Sequence, residues 1–161
     1  MQLWVDLYTV LHFLPGSLKI GVDSLADEYK KIYNYPKDII IEKSFGEKLR
    51  FIDNSFDAVF MTNSLDHTQS PKEVVSEICR VLRPGGYFAL TNELVKKNIK
   101  RDKAHPHNLE EKDILGLLSG KFDIIFKKFS PWFGLRQYYL ELLKEEDFEN
   151  NNQITILAQK I

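Results

Sequence analysis

Asp23 closes the apolar run LKIGV, Leu18 to Val22, and Ser24 follows it. An ionised carboxylate only accepts hydrogen bonds, and one held at the end of a strand can take two of them from a vicinal pair of sugar hydroxyls. Aspartate is also a common turn former, so ligand binding and a plain turn both stay open for Asp23. His67, in the segment LDH, follows another apolar run. Its ordinary pKa lies near neutrality, which suits a general base toward an oxygen or nitrogen nucleophile. Packing a loop is the competing role. His105 and His107, in HPH, could reach a metal or a substrate, but two imidazoles one residue apart without a clear third and fourth ligand make a poor metal site. No metal is therefore expected, and the segment reads as a loop over the mouth of a site or as solvated surface. The neighbouring basic residues Lys96, Lys97, Lys100, Arg101 and Lys103 read as solvated, and as a functional feature would suit an acidic or phosphorylated substrate.

The elements that must position these residues alternate between strand and helix. LKIGV reads as a short buried strand, Leu25 to Asn34 as a helix stopped by Asn34 and Pro36, and DIIIEK as a further strand. FDAVFMTN, Phe56 to Asn63, is almost continuously apolar, as in a central strand covered on both faces. The next helix has the clearest signals: Ser70 as N-cap, Pro71 at the first helical position, Glu73 for a capping box, and Val74, Val75, Ile78, Val81 and Leu82 on one face. RPGG ends it, Gly85-Gly86 permits a tight turn, and Tyr87 to Asn92 is again a strand. Asn108 and Glu111 repeat the capping pattern for a helix to about Ser119, with Gly120 at its left-handed exit. FDIIFKKF and QITILAQK read as closing strands. Between them, residues 130–152 carry a moderate helical stripe, in which Trp132, Phe133, Tyr138 and Tyr139 read first as core and second as a cap or partner surface. Residues 3–14 also have helical spacing, stopped by Pro15-Gly16. The order implies one α/β domain, a mostly parallel sheet with helices on both faces and an antiparallel C-terminal strand, whose ligands sit at the carboxyl ends of the strands. Those ends carry Asp23, Asn63 and Asn92.

Composition narrows the classes of partner. A chain of 161 residues, 43% hydrophobic, suits one domain with a sizeable core. Its net charge of −1 gives no field that would draw it to nucleic acid or an anionic membrane, and no apolar run approaches the roughly 18 residues of a membrane span. The single cysteine, Cys79, excludes an internal disulfide. A soluble, cytoplasmic protein acting on a small molecule, with homo-oligomerisation open, is the expectation.

Taken in order, GVDSLADEYKKIY, GEKLRFIDNSFDAVFMTNSLDH and SEICRVLRPGGYFALTNEL resemble class I S-adenosylmethionine-dependent methyltransferases of the small-molecule type. The similarity is good over roughly residues 11–91, and AHPHNLEEKDI looks like a segment of one subgroup. The resemblance implies a Rossmann-like fold, S-adenosylmethionine as cofactor and S-adenosylhomocysteine as product. It places Asp23, with Ser24, on the ribose, Gly46 and Glu47 beside the adenine, and Asn63 to His67, including Leu65, along the transferred methyl and the substrate. Phe45 stands where many members have an aspartate that reaches the adenine amino group, so contact there would be by packing or backbone.

One part of the family pattern is missing. Counting back from LHFLPGSLKIGVD, the glycine-rich loop after the first strand should fall at residues 2–8, which read QLWVDLY and hold no glycine. The first strand is therefore expected to be absent or replaced, either in a naturally shortened domain or through a start site that omits the true N-terminus. Such a gap in mid-sheet leaves backbone groups unpaired, so the second and fourth strands are expected to pair directly, or a neighbouring copy to fill the gap. Three functions follow: methyl transfer to an unidentified small molecule, impaired by the missing loop; a degenerate, non-catalytic module acting through self-association or partner binding; and, weakest, a nicotinamide-dependent oxidoreductase, which no G-x-G-x-x-G supports.

Overall fold

The computed structural model describes residues 1–3, 10–13, 15–16, 18–98, 100, 102–130 and 152–161. Seven strands, β1 (Gln2–Leu3), β2 (Lys19–Asp23), β3 (Ile39–Lys43), β4 (Phe56–Thr62), β5 (Leu82–Glu93), β6 (Phe122–Ser130) and β7 (Gln153–Lys160), form one sheet in the order β3-β2-β1-β4-β5-β7-β6. All pairings are parallel except those of β7, which runs antiparallel to β5 and β6.

The first strand is present, which corrects the expectation of its absence. Gln2 and Leu3 pair with Gly21 and Val22 on one side and with Phe60 and Met61 on the other, and the Phe60 N–H donates to the Met1 carbonyl at 2.9 Å. Direct pairing of β2 with β4 does not occur, because β1 lies between them. Two residues are too few to show a period, and the helical spacing from Leu3 onward pointed elsewhere. Leu3 lies in a strand, while Val10–His12 form one 3-10 turn; residues 4–9, and the proposed loop among them, lie outside the described residues.

Three helices are described: α1 (Ala26–Ile32), α2 (Pro71–Val81) and α3 (Glu111–Leu118). Ser70 caps α2 as its sequence suggests, its Oγ accepting from the Glu73 N–H at 3.3 Å, and Val74, Val75, Ile78 and Val81 are buried. The cap of α3 lies two residues beyond the expected one: Glu110 and Asp113 form a reciprocal capping box, and Asn108 donates to the Lys96 carbonyl. Carboxylates serve at both places in the box because each can accept from the other's backbone N–H.

Register aligns the core in layers. Val59 pairs with Phe88 and Phe88 with Ala158, and Met61 pairs with Leu90 and Leu90 with Ile156; all are buried, under α2 and α3. A smaller cluster of Leu11, Ala26, Ile39 and Ile41 lies where α1 covers β3. On β4, Ala58 and Phe60 are only half-buried, so among the described residues the second face of this central strand is less covered than its apolar run suggested. Gly120 has φ +71°, the left-handed conformation expected at the exit of α3, whereas Gly85, at φ +73°, lies within β5 and not in a turn before it, where the register against β4 shifts between Phe56 and Ala58.

Candidate active site

The carboxyl ends of β2, β3 and β4 converge on a cleft of about 120 Å³ lined by Val22, Asp23, Ser24, Ser44, Phe45, Gly46, Glu47, His67, Thr68 and Gln69. Asp23 forms the turn left open for it and also faces the cleft. Its Oδ1 accepts from the Leu25 N–H at 2.7 Å, closing the turn into α1, while the residue, 4% exposed, lines the cleft. Ser24 is half-buried beside it, and Phe45 is 58% exposed at the rim. A cleft this small is well below the roughly 300–1,000 Å³ of a pocket that encloses a whole ligand. It fits one end of a dinucleotide-sized molecule, with a carboxylate for hydroxyls and an aromatic face for a base.

Glu47 lines the cleft, but its Oε1 accepts from the N–H groups of Gln69 (2.8 Å) and Ser70 (3.3 Å), at the start of α2. A carboxylate there satisfies orphan donors and meets the positive end of the helix dipole. Gly46 approaches α2 closely: a Cβ there would lie 3.3 Å from a Val74 methyl. These two residues thus tie the segment after β3 to α2.

Arg80 completes that tie; it lies in the segment SEICRVLRPGG that carries the resemblance, which gave it no role of its own. Its guanidinium donates to both Glu77 carboxylate oxygens, to Asp53, and to the carbonyls of Phe51 (2.7 Å) and Leu49 (2.9 Å). Glu77 in turn accepts from the Leu49 N–H at 2.9 Å. The bonded guanidinium holds the Glu77 carboxyl below the usual carboxylate range, and the carboxylates raise Arg80 further. The fork fixes the chain that continues from Phe45-Gly46-Glu47.

Asn63, at φ 46°, bridges the ends of β4 and β5: its N–H donates to the Thr91 carbonyl at 2.7 Å and its Oδ1 accepts from Glu93 at 3.1 Å. Fully buried Asn92 returns the link, its Oδ1 accepting from the Leu65 N–H at 3.2 Å. Leu65 itself lies in the core, 0% exposed, and lines no described cleft. Asn63 and Leu65 therefore shape the turn after β4, whereas His67 reaches the cleft.

His67 Nδ1 sits 2.8 Å from the Ala104 carbonyl, and His107 Nε2 3.1 Å from the Gln69 carbonyl. Carbonyls only accept, so these nitrogens donate, leaving the lone pair of neutral His67 on Nε2. The 102–107 loop is thus pinned over the turn between β4 and α2, as a loop covering a site mouth would be. In the basic run, Lys97 pairs with Asp113 at 2.7 Å, while Lys96, Lys100 and Lys103 are exposed; Arg101 lies outside the described residues. So do Trp132, Phe133, Tyr138 and Tyr139.

Comparison with known proteins bears on the family and the fold. Residues 19–90 match the methyltransferase domain family. Over 124 residues the chain is 37% identical to an S-adenosyl-L-methionine-dependent Diels-Alderase of Talaromyces variabilis, covering 72% of this chain and 41% of that protein. Over 102 residues it is 39% identical to sterol methyltransferase-like 1 of Botryococcus braunii, covering 63% of this chain and 23% of that one. It thus spans less than half the length of both. The crystal structure of an S-adenosylmethionine dependent methyltransferase from Mesorhizobium loti shares the fold, with a TM-score of 0.68 and 19% identity, over 92% of this chain and 82% of that one. Residues 19–90 thus carry a methyltransferase domain, and the chain is similar to class I S-adenosylmethionine-dependent methyltransferases, whose cofactor is S-adenosylmethionine. No helix among the described residues is long and apolar enough to cross a membrane.

Proposed function

We propose that the cleft binds S-adenosylmethionine by its adenosine end and that the chain transfers the methyl group to a small molecule, releasing S-adenosylhomocysteine. The observation that carries this reading is Asp23: a buried carboxylate at the carboxyl end of β2, facing a cleft with Ser24 and Phe45. Its Oδ1 accepts from the Leu25 N–H, which orients the carboxylate at the strand end, and an acceptor-only group there suits the ribose hydroxyls. Phe45 offers a face for the adenine in place of a polar contact, and the Gly46-Glu47 segment, held on α2, forms the wall beside it. The cofactor supplies an electrophilic methyl on sulfonium sulfur. The protein's task is then to orient donor and acceptor and keep them close. His67, its Nδ1 fixed on Ala104 and the lone pair on Nε2, takes the proton when the acceptor is an O–H or N–H group.

A second reading rests on the likeness to the Diels-Alderase: the site binds the cofactor and shapes a substrate for a ring closure without methyl transfer. Methyl-labelled S-adenosylmethionine offered with a panel of phenols, carboxylates, amines and alkenes separates the two. Acceptor-dependent label transfer with stoichiometric S-adenosylhomocysteine is expected. Tight cofactor binding with no label transfer to any acceptor would favour the second reading.

A further inference from the structure

We propose that Asp66, His67 and His105 form a binding site for a first-row divalent metal ion, with Zn²⁺ the best match. The HPH segment lacked a third ligand in the sequence; the fold brings one to it. Coordinating atoms of the three residues lie within 4.8 Å of one another, with Asp66 buried and both imidazoles half-buried. The two rings lie close, their centroids 4.2 Å apart and their planes inclined by 50°. Bonds of roughly 2.0–2.1 Å put the donor atoms of a tetrahedral site about 3.3–3.5 Å apart, so a small rotation of the side chains closes the set around an ion.

The atoms behind the ligands are those a metal site uses. His105 Nδ1 donates to Asp102 Oδ1 at 2.8 Å, and His67 Nδ1 to the Ala104 carbonyl at 2.8 Å. Such bonds fix the tautomer, leave Nε2 basic and hold each ring in place, which is the usual support of a metal-bound imidazole. Two imidazoles and one carboxylate suit Zn²⁺, Fe²⁺ or Ni²⁺ over Mg²⁺ or Ca²⁺, which prefer all-oxygen sets. Three protein ligands also leave positions open, as in catalytic sites. His67 lines the Asp23 cleft, and His105 lines a second cavity of about 410 Å³ together with Lys97, Asp102, His107 and Asn108. The ion would sit between the two, where it could take an oxygen or nitrogen donor of a substrate. Cofactor binding at Asp23 and this site stand or fall separately, whereas an ion held by His67 occupies the Nε2 lone pair and so takes the place of the general-base role given to that residue above.

The test is titration of the untagged protein with Co²⁺, read by ligand-field absorption, and with Zn²⁺ by calorimetry. One equivalent is expected to bind in each, with His105→Ala and His67→Ala at least tenfold weaker and Asp102→Ala about tenfold weaker, the scale of lost imidazole support. His12→Ala, which removes an exposed imidazole elsewhere, should bind as the parent does. Asp66→Asn tests the buried ligand, and His105→Ala, at a half-buried position, decides the matter where that variant does not fold. No saturable binding by the folded parent, or equal affinity in His105→Ala and the parent, overturns the proposal.

Discussion

Replacing Arg80 with alanine should loosen the cleft without touching it. The guanidinium makes five hydrogen bonds, and they differ in worth. Asp53 has a side chain 70% exposed, so its pair contributes about 0–1 kcal/mol. The carbonyls of Leu49 and Phe51 lose a charged donor; because the Arg80 side chain is 30% exposed, water replaces it in part, and roughly 1 kcal/mol for each is a fair share of the cost. Glu77 loses two bonds but stays open to solvent at 21% and keeps the Leu49 N–H. The sum is about 2–4 kcal/mol, a fall in Tm of roughly 5–15 °C for a domain of this size. Thermal unfolding of Arg80→Ala measures it, and calorimetry should show weaker S-adenosylhomocysteine binding, since Phe45 to Glu47 lie in the segment this fork holds. Arg80→Lys, which keeps the charge and loses the fork, should fall between. A Tm within about 2 °C of the parent's, with affinity unchanged, would refute the idea that this network positions the cleft wall.

Other outcomes follow from the same contacts. Asn92→Ala leaves the buried Leu65 N–H without its acceptor and should cost about 1–3 kcal/mol in chemical denaturation. Gly86→Ala would place a Cβ 2.8 Å from the Arg83 carbonyl and 3.1 Å from that of Asp57, so a loss of about 1–3 kcal/mol is expected by the same measurement. The lowered Glu77 pKa makes stability acid-sensitive: its contribution is complete above the unfolded glutamate value of about 4.3 and is lost as pH falls through the lower folded value. Denaturation at pH 7 and below pH 4 should therefore show the gap between the parent and Arg80→Ala narrowing in acid.

Local chemistry was legible in the sequence where it stayed local. Ser70, Pro71 and Glu73 announce the start of α2 within four residues, and the left-handed Gly120 stands where the exit of α3 requires it, while the left-handed Gly85 falls at an irregularity within β5 instead of the expected turn. Asp23 was legible as well, because a polar residue after an apolar run marks a strand end. The pieces that escaped are short or distant. β1 offers two paired residues and so no alternation to read. Arg80 draws on Leu49, Phe51 and Asp53, 27 to 31 positions away, and its partners could not be named before the fold brought them together. The capping of α3 moved because Glu110 and Asp113 competed with Asn108 and Glu111, and hydrogen bonding, not residue type alone, decided between them. His67 and Asp66 meet His105 only because the 102–107 loop folds back on the turn after β4.

The central claim is that Asp23 marks a working adenosine site, and calorimetric titration of the protein with S-adenosylhomocysteine tests it most directly, with Asp23→Asn beside the parent. Asparagine keeps an oxygen for the Leu25 turn and replaces the other acceptor with a donor. Losing one charged hydrogen bond, about 1.5–3 kcal/mol, weakens binding at least tenfold. Saturable binding by the parent that the variant loses by that factor is the predicted result. A folded parent that binds nothing, or a variant that binds equally well, would contradict it.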